Sequence, residues 1–93
     1  MIVVSDATPI IALAKLERVA LLQDMFGTIH IPQAVYEEVA IHAPDRPGAA
    51  VVRQAEWIQV QRATEQSKVD YLRSDLDVGE AEVLVVAEEL GAD

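Results

Sequence analysis

The chain has 93 residues, of which 52% are hydrophobic and 25% charged, a composition that suits one small globular domain and excludes a disordered chain. The absence of cysteine excludes disulfides and thiolate metal sites, and it fits a reducing cytoplasm, where we expect the protein to act. Sixteen acids against seven bases give a net charge of −9, and residues 64–93 alone hold nine acids and two bases. A net-acidic surface repels phosphate backbones unless bound divalent cations reverse the field locally. No apolar run approaches the roughly 20 residues that span a bilayer, so we expect no membrane partner.

The first half of the chain alternates between strand-like and helical patterns. Residues 2–5, "IVVS", are β-branched, continuous and short, which predicts a buried strand. Thr8 before Pro9 predicts a helix start, with the hydroxyl as N-cap and proline at the first helical position. The further predicted segments are helices over 9–17 and 18–26, a strand over 28–31 and a helix over 32–43.

The second half continues the alternation. Its clearest loop is "PDRPG" at 44–48, with two prolines and a glycine in five residues. Gly91 is a natural C-cap for the last helix. Strands that alternate with helices predict a single α/β domain over residues 1–93, with a central parallel sheet. The predicted segments are helices over 49–57, 63–77 and 78–91 and a strand over 58–61.

Asp6 interrupts the apolar opening "VVSDATPIIALAKL". It stands where the first predicted strand ends and the first helix is about to begin, and ligands bind at that carboxyl edge in open α/β sheets. The alternative is an Asx-turn or helix cap, which is a common role for Asp before a Thr-Pro helix start.

Two glutamates lie among apolar residues when their helices are projected at 100° per residue. Glu80 falls in the middle of the apolar stripe of the last helix, whereas Glu82 and Glu89 fall on the opposite face and are expected to be solvated. Glu38 falls inside the apolar arc of its helix, with Glu37 off the edge of that arc. The alternatives are helix-dipole stabilisation for Glu80 and a surface acid pair for Glu37 and Glu38.

The three acids Asp6, Glu38 and Glu80 together are stronger evidence for a site than any one of them alone. A buried carboxylate is costly without a partner, and a core-facing acid more often serves a site. Hard oxygen ligands without nearby His or Cys favour Mg²⁺ or Mn²⁺ over zinc.

Three blocks of the sequence, "VVSDATPIIALAKL", "IPQAVYEEV" and "LDVGEAEVLVVAEELGAD", resemble the PIN-domain family in this order. The likeness is greatest to prokaryotic PIN-like proteins that open with Ser-Asp-x-Ser/Thr-Pro and carry a Gly-Glu-x-Glu helix. It runs from residue 2 to residue 93. The resemblance implies a PIN-like three-layer α/β/α domain around a central parallel sheet.

The resemblance also implies a function. PIN domains are similar to FEN-like nucleases and include the VapC toxins of toxin–antitoxin operons. It therefore implies a Mg²⁺- or Mn²⁺-dependent ribonuclease with an RNA substrate and a cognate antitoxin protein as partner. Carried over position by position, the catalytic and metal-ligating acids are Asp6, Glu38 and Glu80, with Ser5 and Thr8 as supporting hydroxyls.

The sequence departs from the family after "ELGAD", where the family continues into an apolar strand that ends in further acids. We therefore expect a C-terminally shortened domain whose sheet has an exposed edge. The unpaired backbone N–H and C=O groups at such an edge favour association with another chain. This predicts a homodimer that uses apolar side chains such as Leu21, Leu22, Met25 and Phe26.

Three functions remain open at this point. The first is a metal-dependent ribonuclease of PIN type that acts as a toxin. The second is a non-catalytic PIN-like remnant that serves as an interaction or dimerisation module. The third, favoured by the acidic charge alone, is a protein-binding domain without metal.

Overall fold

The computed structural model describes residues 2–42 and 44–92. Ala43, the last residue of the helix predicted over 32–43, lies outside the described residues. The described residues form six helices and two strands. In chain order these are α1 (Ala7–Lys15), α2 (Ala20–Phe26), β1 (Ile29–Pro32), α3 (Gln33–Tyr36, continued by a π-helical turn over Glu37–Ile41), α4 (Ala49–Gln54), β2 (Ile58–Gln61), α5 (Gln66–Leu72) and α6 (Val78–Leu90).

A parallel sheet forms the centre of the fold. β1 pairs with β2 in the register Ile29 to Ile58 through Pro32 to Gln61. On the other side of β1, His30 donates its N–H to the Val3 carbonyl and accepts one from Ser5, both at 2.9 Å. The predicted α/β class with a parallel sheet is therefore confirmed.

The predicted strand over residues 2–5 is reduced to a single bridge between Val4 and His30. Apolar β-branched residues do place this segment beside β1, but Asp6 already caps a helix, so the segment turns away from the sheet after Ser5. Asp6 therefore stands at the carboxyl end of a sheet-edge segment, as the sequence predicts.

α1 begins earlier than the Thr8-Pro9 pair predicts. Asp6, in extended conformation, is the N-cap, and its Oδ1 accepts a hydrogen bond from the Ala7 N–H at 2.7 Å. A carboxylate is as good a cap as a hydroxyl, and proline is tolerated throughout the first helical turn. Thr8 is consequently an exposed helical residue and not the cap.

Two apolar clusters hold the layers together. The larger one surrounds β1, whose Ile29 and Ile31 are fully buried, and it includes Ile10 of α1 and Val35 of α3. The smaller cluster lies between α5 and α6 and is built from Ala63, Val69, Ala81, Val85 and Val86. α6 thus packs on β1 and α3 at one end and on α5 along its length.

Glu89 fastens the far end of α6 to the start of α5. Its carboxylate accepts hydrogen bonds from the backbone N–H of Thr64, at 3.1 Å to each oxygen, and from that of Glu65 at 2.9 Å. These bonds stabilise the ionised form, with the Glu65 N–H as the largest cause, and they hold the pKa of Glu89 below its ordinary value of 4.5.

The pKa of Glu89 predicts an acid-dependent contribution to stability. Since its pKa is lower in the folded than in the unfolded chain, the contribution is fully present above about pH 4.5 and is lost as the pH falls through the folded pKa. Glu89→Gln should therefore lower the midpoint of urea unfolding at pH 7 and change it less at pH 3. Glu56→Gln, at an exposed turn before β2, is the control, and an equal loss for Glu89→Gln at both pH values would contradict the ionic role.

Candidate functional site

Asp6 and Glu80 lie on one small cavity at the carboxyl end of the N-terminal segment. The cavity measures about 230 Å³, and Leu76, Val83 and Leu84 complete its lining. Asp6 is half-buried and Glu80 is exposed. The two carboxylates come from opposite ends of the chain, and apolar side chains form the rest of the wall. Like charges gathered in apolar surroundings favour a cation between them.

Glu80 is also part of a capping box at the start of α6. The Asp77 side chain accepts the Glu80 N–H at 2.8 Å, and Glu80 Oε1 accepts the Asp77 N–H at 3.3 Å. The helix-dipole interpretation of Glu80 is thus fulfilled in addition to its place at the cavity. The Asp77 N–H bond is long, so the Glu80 carboxylate is only weakly retained by the cap.

The expectation that Glu80 faces the core is wrong. The buried residues of α6 are Gly79, Ala81, Val85 and Val86, which lie on the side away from Glu80. Apolar residues occur on almost every side of this helix, so the projection does not determine which side is buried. Tight packing selects the side that carries the small residues, because they allow close approach of the neighbouring backbone.

Glu38 is exposed, contrary to its predicted place inside an apolar arc, while Glu37 is half-buried. The buried side chains of this segment are Val35, Val39 and Ala40, whereas the apolar Ile41 is 53% exposed, so apolar residues alone do not mark the buried side here. Glu37–Ile41 form a π-helical turn, in which His42 donates to the Glu37 carbonyl five residues earlier.

Glu38 lies beside the N-terminus of α6. A Cβ placed on Gly79 would lie 3.9 Å from Glu38 Oε1 and 3.5 Å from Asp77 Oδ1, so both carboxylates approach the residue that precedes Glu80. Glu38 lines a cleft of about 330 Å³ together with Glu37, His42 and Glu82.

Glu82 is a residue whose role the sequence did not reveal. It was expected to be solvated, but it is half-buried and accepts the Ala34 N–H at 3.0 Å. Ala34 lies in the first turn of α3, where backbone N–H groups have no partner within the helix. Glu82 therefore ties α6 to the helix that carries Glu38. In the sequence, the only indication of this role is that Glu82 is the second acid of "GEAE".

The structure brings Asp6 and Glu80 to one cavity and places Glu38 in a neighbouring cleft on the other side of Gly79. Within residues 2–42 and 44–92, no group of three or more His, Asp or Glu side chains is placed to hold a metal ion. The assignment of Asp6, Glu38 and Glu80 as a joint ligand set therefore stays a prediction. Of the supporting hydroxyls, Ser5 Oγ donates to the Asp6 carbonyl at 2.9 Å, and Thr8 is exposed.

Comparison with known families decides the broader identity. A family model described as a PIN domain matches residues 2–93. The chain belongs to the PIN-domain family. No curated protein and no solved structure matches the chain. This PIN domain has, among its described residues, no helix that is both long and apolar enough to cross a membrane.

Removal of the Glu82 carboxylate tests the link between α6 and α3. Glu82→Ala should destabilise the fold by about 1–3 kcal/mol, since the half-buried Ala34 N–H loses a charged acceptor. Alanine is the best helix former, so helix propensity cannot account for a loss. Glu82→Gln keeps an acceptor oxygen and should cost less. Urea unfolding provides the measurement, and wild-type stability of Glu82→Ala would show that the hydrogen bond contributes nothing.

Proposed function

We propose that this PIN domain is a divalent-metal-dependent endoribonuclease that cleaves RNA phosphodiester bonds. The observation that carries the proposal is the pair of carboxylates, Asp6 and Glu80, on one cavity at the carboxyl edge of a parallel sheet. Ligands of open α/β sheets bind at this edge. Family membership supports this reaction class, because PIN domains are in general nucleases that depend on divalent metal.

The residues proposed to hold the cation are Asp6, Glu80 and Glu38. Their chemistry fits Mg²⁺ or Mn²⁺, which prefer carboxylate oxygens. Asp6 uses Oδ1 to cap α1 and has a second oxygen to offer, and Glu80 would exchange a long hydrogen bond for the cation. Ser5, by its bond to the Asp6 carbonyl, steadies the backbone that presents Asp6. When bound, the cation would hold the scissile phosphate and lower the pKa of the water that attacks it.

Glu38 must move to join the other two acids. It is exposed and lies within a π-helical turn, a local distortion that is frequent at functional sites. Its Oε1 lies 3.9 Å from the position of a Cβ on Gly79, the residue before Glu80, so rotation of this long side chain would bring it toward Glu80. Glu82 holds the start of α3 and so keeps Glu38 within reach.

The biological setting that we propose is a VapC-like toxin paired with a cognate antitoxin. In such a setting, the net charge of −9 limits indiscriminate RNA binding, and the cation provides the local attraction for phosphate. We further propose a homodimer. Of the four apolar residues expected to mediate it, Leu21 and Met25 are exposed, Phe26 is half-buried and Leu22 belongs to the core. The dimer surface would therefore use Leu21 and Met25 without Leu22.

A non-catalytic interaction module is the second candidate function. It is favoured by one observation, namely that the described residues contain no preformed group of three acids at metal-binding distance. Such a module would keep the fold and its surfaces but would not bind Mn²⁺ through Asp6 and Glu80.

Titration with Mn²⁺ separates the two candidates. Wild-type protein should bind Mn²⁺ in calorimetric titration, and Asp6→Asn and Glu80→Gln should each weaken binding at least about tenfold, a loss of about 1.4 kcal/mol. Asp6→Asn should also raise the melting temperature of the metal-free protein. Asparagine still caps α1, and the repulsion between Asp6 and Glu80 is removed.

Glu56→Gln, at a residue that does not line the cavity, is the matched control and should bind Mn²⁺ as the wild type does. Cleavage of a labelled RNA in the presence of Mn²⁺, lost in Asp6→Asn, completes the test. If Asp6→Asn changes neither Mn²⁺ affinity nor the apo melting temperature, Asp6 is only a helix cap and the ribonuclease proposal fails.

A further inference from the structure

A polar cleft lies where the two paired strands end. β1 and β2 are parallel, and their last residues, Pro32 and Gln61, stand opposite each other. Gln33 and Arg62, the next residues of the chain, therefore leave the sheet side by side at its carboxyl edge. The carboxyl edge of a parallel sheet is where ligands of open α/β domains bind. The cleft at this edge measures about 420 Å³ and is lined by Gln33, Arg62, Ala63, Gln66 and Glu82.

Arg62 is available for a ligand of this cleft. It is exposed, and within residues 2–42 and 44–92 its side chain forms no ion pair and no hydrogen bond. Lys68, in contrast, is paired with both Glu65 and Glu88. A guanidinium presents its donors in a planar fork that matches the oxygens of a phosphate or a carboxylate. In a chain of sixteen acids and seven bases, this arginine has been left open to an external anion.

The other polar side chains of the lining do not neutralise Arg62. The Glu82 carboxylate forms no ion pair with it and accepts the Ala34 N–H at 3.0 Å instead. The Gln66 amide is fixed, because its Nε2 donates to the Ala63 carbonyl at 2.7 Å. Gln33 is half-buried and its side chain has no hydrogen bond among the described residues, so its amide N–H groups can donate to an anion held by the arginine.

The cleft adjoins the proposed metal site on two sides. Gln33 and Glu82 line the cleft of Glu38 as well, so the two clefts are continuous. The N-terminal segment runs parallel to β1, which places Asp6 at the same sheet edge, two strands away from Arg62. Neighbouring strands lie about 4.8 Å apart, so the backbones at Asp6 and Arg62 are separated by roughly 10 Å. An extended ligand with several negative groups could therefore reach both.

We propose that Arg62, assisted by Gln33, binds a backbone phosphate of the RNA substrate beside the scissile phosphate. This inference rests on the proposed ribonuclease function, which supplies RNA as the ligand. A single strand carries a phosphate at every nucleotide, so one phosphate can lie on the cation at Asp6 while another lies on the guanidinium. Such a contact positions the strand and carries no sequence information.

The test uses a fluorescently labelled single-stranded RNA of about 12 nucleotides, a length typical of single-strand sites. Binding is measured by anisotropy in EDTA, so that no metal-dependent cleavage occurs, over a series of salt concentrations. Arg62→Gln should weaken binding at least about fivefold and reduce the slope of log affinity against log salt by about 0.7, the value for one phosphate contact on a single strand. Arg62→Lys should keep the slope and lose only part of the affinity, because an ammonium has the charge without the fork.

Arg73→Gln is the matched control, because it removes the same charge at an exposed arginine that does not line the cleft. It should keep the wild-type salt slope and most of the wild-type affinity. Since Arg62 forms no side-chain hydrogen bond or ion pair in the folded chain, Arg62→Gln should also keep the wild-type midpoint of urea unfolding. An unchanged midpoint excludes misfolding as the cause of a loss.

The two proposals fail on different readouts. Calorimetry with Mn²⁺ reports on Asp6 and Glu80, and Arg62→Gln should leave it unchanged. If Mn²⁺ does not bind but Arg62→Gln still loses RNA affinity, the nuclease proposal fails and the phosphate contact stands. The contact is overturned if the wild type does not bind RNA, or if Arg62→Gln and Arg73→Gln lose equal affinity. It is also overturned if a glutamate-rich peptide displaces the labelled RNA as well as unlabelled RNA does, because the fork would then serve a carboxylate.

Discussion

The fold depends on hydrogen bonds that backbone N–H groups at helix starts donate to the carboxylates of glutamates in α6. The first turn of every helix leaves such groups without a partner within the helix and carries a partial positive charge, so a carboxylate is their best acceptor. One helix supplies this acceptor at three places, and in doing so it positions α3 and α5 relative to the sheet. The pairs are Glu80 with Asp77, Glu82 with Ala34, and Glu89 with Thr64 and Glu65.

This arrangement explains why so acidic a helix packs in a small domain. The carboxylates of Glu82 and Glu89 accept backbone hydrogen bonds, and Glu88 forms an ion pair with Lys68. Glu80 differs from these because its hydrogen bond is long and its side chain borders a cavity shared with Asp6. The acids of α6 thus divide into those that fasten the fold and one, Glu80, that borders the cavity shared with Asp6. The same helix face that presents Glu80 also presents Leu84, which lines the cavity shared with Asp6.

Much of the fold could be predicted from the sequence. The strand over 58–61 and the helix that ends at Gly91 were confirmed, because β-branched alternation and a glycine C-cap are local signals. The faces of Glu38 and Glu80 were predicted wrongly for two physical reasons. Apolar Ile41, on the helix of Glu38, is itself exposed, and α6 is apolar on too many sides for the projection to identify its buried face. The contact of Glu82 with Ala34 joins residues 48 positions apart, which a local pattern does not encode.

The division of the α6 acids can be tested directly by paramagnetic broadening of backbone amide signals during titration with Mn²⁺. The signals of Ala7, Gly79 and Ala81 should disappear first, because these amides flank Asp6 and Glu80. The signals of Thr64 and Glu65 should persist, since Glu89 is committed to their N–H groups. Broadening that begins at Thr64 and Glu65 and spares Ala7 and Gly79 would contradict the account, because the available carboxylate would then be Glu89 and not Glu80.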